Sequence, residues 1–355
     1  MLRFRVYRFF VPWVVLGAAA CAPQDSPRAN TAQSGDAPPS AVPTDSARAP
    51  RSGDQISTYI RCVFEDREGD LWFGTTTDGV VRYNGRTLDY FNAANGFGSN
   101  WVNAIVQDAR GDIWFGTRDG VVRYDGMHFT PFTTQDGLAS DRVWSLLLDR
   151  SGILWAGTYE GVSRFDGRRF SALPLPAADL SAHPYYEDPK KINAMVQDRN
   201  DLIWFATNGG GVYRYNGSGI VHLSEQQGLC SDFVQTMLVD RDGLIWFGTR
   251  FGGLCTHGGN TFTIVDQEVK DQNVLHQQSD GTLWTVNMYA GLCRRDGTAT
   301  TCFSEKDGEG VRVPMSALED SRGNLWIGTG AGLYRLDGDR FTNVTKAELM
   351  RTGGR

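Results

Sequence analysis

Tryptophan recurs along this chain at Trp72, Trp114, Trp155, Trp204, Trp246, Trp284 and Trp326, with spacings of 42, 41, 49, 42, 38 and 42 residues. A period near 42 residues restricts the chain to architectures built by stacking equal units, each too small to bury its own apolar face. More than the tryptophan repeats. Six positions before it stands Asp66, Asp108, Asp149, Asp198, Asp240 or Asp320, with Gln278 in the sixth unit, and a Gly-Thr pair follows it in most units, as in Trp72-Phe73-Gly74-Thr75. Each unit then carries a Gly-Val/Leu-x-Arg-Tyr segment such as Gly120 to Tyr124, closed by Asn-Gly, Asp-Gly or Gly-Gly: Asn84-Gly85, Asp125-Gly126, Asp166-Gly167, Asn216-Gly217, Gly258-Gly259, Asp296-Gly297 and Asp337-Gly338. Such pairs suit a type I′ hairpin, in which both central residues take positive φ.

A unit therefore reads as four short antiparallel strands: A, a Val-x-x-Ile-x-x-Asp segment; B, with the tryptophan; C, with Arg-Tyr; and D, such as Phe129 to Phe132. The 42 glycines among 355 residues and the 12% aromatic content agree with many turns and sheets. The expected fold is all-β, a seven-bladed β-propeller of four-stranded antiparallel blades. Strand B is apolar at consecutive positions, Leu71, Trp72 and Phe73, as a strand covered on both faces should be. The count runs from strand A of the first unit to strand D of the seventh, so ring closure is expected to rest on packing. The propeller is assigned to residues 54–345, with 346–355 as a C-terminal tail.

The text Asp-x-x-Gly-x-Leu-Trp-x-Gly-Thr, with the inter-unit Gly-Leu-x-Ser-Asp of Gly137 to Asp141 and Gly228 to Asp232, resembles the two-component regulator propeller repeat. The resemblance implies kinship with periplasmic sensor regions of bacterial hybrid two-component systems, often concerned with polysaccharide uptake. Such sensors typically add a second propeller, an immunoglobulin-like domain, a membrane helix and a kinase. With one ring here, kinase activity is not carried over.

Residues 1–21 read as an export signal: Arg3, Arg5 and Arg8 precede an apolar run from Phe9 to Ala20 that is too short to span a bilayer. The ending Leu16-Gly17-Ala18-Ala19-Ala20-Cys21 resembles the lipobox of bacterial lipoproteins, although Ala18 stands where that family usually has Leu. The resemblance implies lipidation of Cys21, hence a membrane partner through an N-terminal lipid anchor. Ala22, in place of the Asp that retains lipoproteins at the inner membrane, implies a periplasm-facing protein of the outer membrane. Residues 22–53 hold six of the 13 prolines and almost no large apolar side chain, and are expected to form a disordered tether.

Side chains repeated in nearly every unit serve a need common to all blades. The tryptophans and turn residues read as packing and turn formation; Arg82, Arg123, Arg164, Arg214, Arg294 and Arg335, close to the repeated Asp, read as its hydrogen-bond partners. Function is expected where the units differ. Antiparallel order puts the B–C and D–A loops on one face of the disc, and there the residue after the strand-B threonine varies, giving Arg118, Tyr159, Asn208 and Arg250. The start of strand A, expected to line the mouth of the central channel, varies too, reading Arg61, Asn103, Trp144, Asn193, Gln235, Asn273 and Met315; from it and the residues just before it come the candidates Arg61, Asn103, Trp144, Asn193, Trp101 and Arg142. Those ten residues form the candidate ligand-binding set, with the enlarged loop from Leu173 to Lys191 carrying His183, Tyr185 and Tyr186 on the same face. Aromatic, amide and guanidinium groups together suit a polar or saccharide ligand. An envelope protein partner, with the ring as interaction scaffold, is the alternative.

Catalysis finds less support. A lyase resembling the streptogramin lyases needs a clustered His and acid near the channel, yet His128, His222, His257 and His276 fall away from the variable face. Neither zinc spacing nor a phosphate loop nor a serine elbow is present, so no metal or cofactor is implied. A net charge of −6 argues against a nucleic-acid partner. Beyond Cys21 the cysteines number five, so at least one thiol is left unpaired. Cys62 inside strand A is the candidate. Cys230 and Cys255 form one candidate pair; Cys293 and Cys302 form another, but a two-residue turn at Asp296-Gly297 leaves them diagonal and a bridge requires a shifted register.

Overall fold

The computed structural model describes residues 40–41, 47–48, 55–178, 180, 189–268, 270–287, 291–296, 299–303, 311 and 313–346. The chain forms a seven-bladed β-propeller, its blades spanning residues 60–91, 102–132, 143–173, 192–223, 234–266, 275–303 and 314–343. Within each blade the strands pair in chain order, A beside B beside C beside D. The expected leader, Cys21, most of the tether, the tail beyond Lys346, and His183, Tyr185 and Tyr186 lie outside the described residues. Within the tether segment, Ser40–Ala41 pairs with Phe129 and His128 of blade 2, and Ala47–Arg48 with Asp89 and Leu88 of blade 1.

Strand B is buried at every position in blades 1 to 4 and 7, as in Leu71–Thr75 and Ile203–Thr207. Neighbouring blades cover both its faces, and the glycine two residues after the tryptophan in five of the seven units makes that approach workable. A Cβ at Gly116 would stand 3.0 Å from Val143, and one at Gly328 would stand 2.9 Å from Ile60, each on the next blade's strand A. The following threonine closes the B–C loop, as Thr117 Oγ1 does by donating to the carbonyl of Gly120.

The tryptophans carry the core between blades. Trp72 meets Phe115 of blade 2 at 5.6 Å between ring centroids, Trp114 meets Phe165 at 5.1 Å, and Trp204 meets Phe247 at 5.9 Å. Such pairs add about 1 kcal/mol each beyond area burial. Every indole N–H is satisfied by the residue six positions earlier: six aspartates and Gln278 accept it at 2.7–3.0 Å. This corrects the role expected of the repeated arginines. The aspartate is already filled by the indole and by the backbone N–H groups of its own turn, so Arg82 turns to Asp89 and Arg335 to Asp337. Arg82, Arg123, Arg164, Arg214 and Arg335 also lie over the tryptophan ring of their own unit, between 5.5 and 5.8 Å from its centroid.

Ring closure goes beyond packing. The Ile56 N–H donates to the carbonyl of Thr345 at 3.0 Å, and Gln55 bridges to Lys346. A latch also spans most seams: Gln107, Gln197, Gln277, Glu319 and Glu65 each accept an N–H from the preceding blade's A–B turn, the last from Ser321 across the closing seam.

The C–D turns differ from the expected type. Gly85, Gly126, Gly167 and Gly217 have positive φ, but the Asn or Asp before them does not. That residue caps the turn instead: Asn84 Oδ1 accepts from the N–H groups of Arg86 and Thr87 at 2.9 and 2.7 Å. Its own backbone stays extended, glycine becomes the first central residue, and the register moves by one. In blade 6 this sets Asp296 opposite Ala299 and brings Cys293 directly opposite Cys302, where they are bridged. Cys230 and Cys255 form the second disulfide, and Cys62 is free. Burial pushes the Cys62 thiol up to about 12.

Candidate functional site

One irregularity recurs in the inner strands and builds the site. In six blades the A–B pairing skips a residue of strand A: Ile60 and Cys62 pair with adjacent strand-B residues, as do Val102 and Ala104, Val143 and Ser145, Ile192 and Ala194, Val234 and Thr236, and Pro314 and Ser316. The skipped residues are β-bulges, which re-aim a side chain relative to the pleat. They are Arg61, Asn103, Trp144, Asn193, Gln235 and Met315. All six line one cavity of about 410 Å³, together with Asn273 from the sixth blade, Lys191, Asn208 and Arg250. This is within the size range of small-molecule sites.

A backbone clasp ties the variable positions of each blade together. The residue after the strand-B threonine donates its N–H to the residue two before the bulge: Arg118 to Trp101, Tyr159 to Arg142, Asn208 to Lys191, Arg250 to Phe233 and Gly330 to Val313, at 2.9–3.3 Å. Six of the ten predicted residues, Arg61, Asn103, Trp144, Asn193, Asn208 and Arg250, line the cavity. Trp101, Arg118, Arg142 and Tyr159 stand one layer outward, joined to it through two contacts. Trp101 Nε1 donates to Asn103 Oδ1 at 2.7 Å, and Tyr159 meets Trp144 edge to face at 5.8 Å. Lys191, Gln235, Asn273 and Met315 also line it; they are outside the ten candidates, though the last three were expected at the channel mouth as starts of strand A.

The aromatic faces expected to receive a sugar are covered by the chain's own cations. Arg61 and Lys191 lie 4.3 and 3.3 Å from the Trp144 centroid, Arg118 lies 4.2 Å from Trp101, and Arg142 lies 3.7 Å from Tyr159. Ring quadrupoles attract cations in this arrangement, so the aromatics here orient guanidinium and ammonium groups. Burial lowers Arg61 from the ordinary guanidinium value. Two of the amides serve the ring itself. Asn103 Nδ2 donates to the carbonyl of Val143 at 2.7 Å and Asn193 Nδ2 to that of Val234 at 2.8 Å, each fixing the residue just before the next blade's bulge. Among the described residues the lining holds neither histidine nor carboxylate.

The bulge account makes a test with an unusual sign. Deleting Asn193 would leave Ile192 and Ala194 consecutive, opposite the consecutive Thr207 and Ala206, so strand A becomes regular. The deletion is expected to preserve the fold at a cost of about 1 kcal/mol for the lost bond to Val234, as read by urea denaturation. Deleting Met195, in the regular part of the strand, inverts the faces of all residues on one side of it and should abolish folding.

The profile of the two component regulator propeller matches residues 54–77, 96–119, 137–160, 228–251 and 307–331. No curated protein sequence matches the chain. Among solved structures, the extracellular domain of a B. thetaiotaomicron protein assigned as a hybrid two-component system superposes with a TM-score of 0.65 at 20% identity. The match covers 86% of this chain and 42% of that one, so the chain spans less than half of it. A streptogramin B lyase gives a TM-score of 0.64 at 11% identity over 82% of this chain and 96% of its own. PorZ, a surface component of the type-IX secretion system of Porphyromonas gingivalis, gives 0.60 at 16% identity, covering 80% of this chain and 46% of that one. These likenesses establish the fold, and the matched segments, each running through the A–B pair of one blade, place the two component regulator propeller repeat in the first, second, third, fifth and seventh blades.

Proposed function

We propose that the chain is an envelope-located, sensor-type ligand-binding propeller, exported by its N-terminal signal and held at the outer membrane through Cys21, which recognises a polar or saccharide ligand at the mouth of its channel. The observation that carries this reading is the ring of bulges: a constant frame presents Arg61, Trp144, Gln235, Met315 and three asparagines to one cavity of about 410 Å³. A purely structural ring has no need of five residue types at equivalent positions. The fold shared with an extracellular domain assigned to a two-component system supports a sensing role outside the cytoplasm. The fold shared with PorZ, a surface component, keeps an envelope protein partner as the second reading. A lyase, the third, requires an acid and a base at the mouth, where the described lining offers neither.

Screening the purified ring against glycans for a thermal shift tests the proposal. Trp144→Ala is expected to weaken binding at least tenfold, about 1.4 kcal/mol, with little change in melting temperature, because Trp144 is half-buried at the mouth. A ligand whose affinity ignores Trp144 and responds instead to the C–D turns on the opposite face contradicts the reading.

A further inference from the structure

Two polar groups at the mouth lack partners, and their chemistries differ. Arg61 brings five N–H donors into a partly desolvated position, and its contacts among the described residues are the Trp144 ring and Met315 Sδ at 3.6 Å. Neither is an oxygen acceptor. Two guanidinium groups on strand C, by contrast, have carboxylates: Arg82 has Asp89 at 2.6 Å and Arg335 has Asp337 at 2.7 Å. The second group is the Gln235 Oε1 atom, buried with no hydrogen-bond donor. A buried polar atom left unpaired is costly and rare. Both residues line the same cavity.

The charge around them has one sign. Arg61, Lys191 and Arg250 line the cavity with no carboxylate among the described lining, in a chain whose net charge is −6. The nearest acid to Arg250 is Asp271, at 3.6 Å on the exposed rim. With the Asn103 and Asn193 amides turned to the next blade, Arg61, Lys191 and Arg250 share the lining with the amides of Asn208, Gln235 and Asn273. A concave, cation-lined site concentrates field and draws anions.

We infer that the ligand is an acidic saccharide, whose carboxylate is taken by Arg61 with Lys191 and Arg250 and one of whose hydroxyls donates to Gln235 Oε1. This rests on the mouth being the ligand site and narrows the class of ligand that it takes. A guanidinium matches a carboxylate bidentately; the cation–π contact with Trp144 holds Arg61 in place before the ligand arrives. A neutral sugar would satisfy Gln235 and leave Arg61 without an oxygen acceptor. A simple anion would do the reverse.

Calorimetric titration of the ring with trimers of galacturonate and of mannuronate, and with the methyl esters of both, separates these cases, since esterification removes the charge and keeps the sugar. At least one acid is expected to bind, at least tenfold more tightly than its ester. Arg61→Gln and Arg250→Gln should each weaken the acid about tenfold and leave the ester unchanged; Arg250 is on the exposed rim, so that variant folds whatever Arg61 contributes to stability. Inorganic sulfate should compete weakly. Equal affinity for acid and ester, acid binding that survives both substitutions, or no binding of either acid overturns the inference. If a neutral trisaccharide binds and is lost in Trp144→Ala, the mouth stands as the site and the charge inference alone fails. If no saccharide responds to Trp144→Ala, both fail.

Discussion

Trp114→Ala is expected to destabilise the ring by about 4 kcal/mol, a large share of the 5–15 kcal/mol typical of folded domains. Trp114 is 1% exposed, and its indole is wedged between blades, 5.6 Å from Phe132 and 5.1 Å from Phe165 of the next blade. Truncation opens a cavity at the seam and removes the N–H that Asp108 accepts at 3.0 Å. The strands on either side are held by their own ladders, so the void cannot collapse cheaply. Urea denaturation measures the loss, and Trp144→Ala is the control: the same chemical change, at a half-buried bulge, is expected to cost under about 1 kcal/mol. Similar costs at the two positions would remove the distinction between frame and mouth.

Asp149→Ala should cost about 3 kcal/mol. Its Oδ1 accepts from the Ser151 N–H and hydroxyl and from the Ile153 N–H at 2.6–2.9 Å, and Oδ2 accepts from Trp155 Nε1 at 2.8 Å. The substitution opens the A–B turn and leaves a buried indole N–H without an acceptor. The same bonds set a pH dependence. Desolvation pushes Asp149 up, but the bonds from Ser151, Trp155 and Ile153 outweigh it and the carboxyl sits below its usual value, as does that of Asp108. A group whose folded pKa is depressed contributes stability above the unfolded value, about 3.9, that is lost as pH falls through the folded one. Asp70 and Asp112 go the other way, raised by burial and then by Asp66 and Asp108. Protonating them relieves a folded-state penalty, so their contribution improves as pH falls through their raised values. Stability should therefore hold down to about pH 4 and drop steeply below it. In Asp149→Asn, which cannot titrate, the drop should be shallower. A steep fall well above pH 4, or an acid limb unchanged in Asp149→Asn, contradicts the assignment.

The frame was legible in the sequence because the blades solve one problem with nearly the same residues: a tryptophan between sheets, an acceptor for its N–H and, in five of the seven, a glycine where the next blade approaches. The face of the candidate site was legible for the converse reason, since variation stands out against a fixed repeat. What escaped was the device that aims the side chains. Its trace is visible in Val102 and Ile105, or Val234 and Met237: both are buried and three apart, where a regular strand places residues of one face two apart. That spacing marks one extra residue. Read so, it explains why Gln235 and Met315, expected at the mouth as starts of strand A, face the cavity. The stacking of cations on Trp144, Trp101 and Tyr159 left no such trace, because it depends on side chains well separated in sequence meeting in space. The partners of the repeated arginines were misjudged on proximity alone; Trp72 Nε1 competes for Asp66 and has it. The turn register was misjudged because Asn84 and Asp125 can cap a turn with the side chain as well as enter it with the backbone.

Hydrogen exchange on the ring, with and without the saccharide giving the largest thermal shift, tests most directly whether the bulged mouth is the binding site. Protection is expected in the segments 59–62, 101–104, 142–145, 191–194 and 233–236 and in the loops after Thr117, Thr158, Thr207 and Thr249. The C–D turns at Asn84-Gly85, Asp125-Gly126 and Asp166-Gly167 should exchange as in the free protein. Protection confined to those turns, with the bulged segments unchanged, would contradict it.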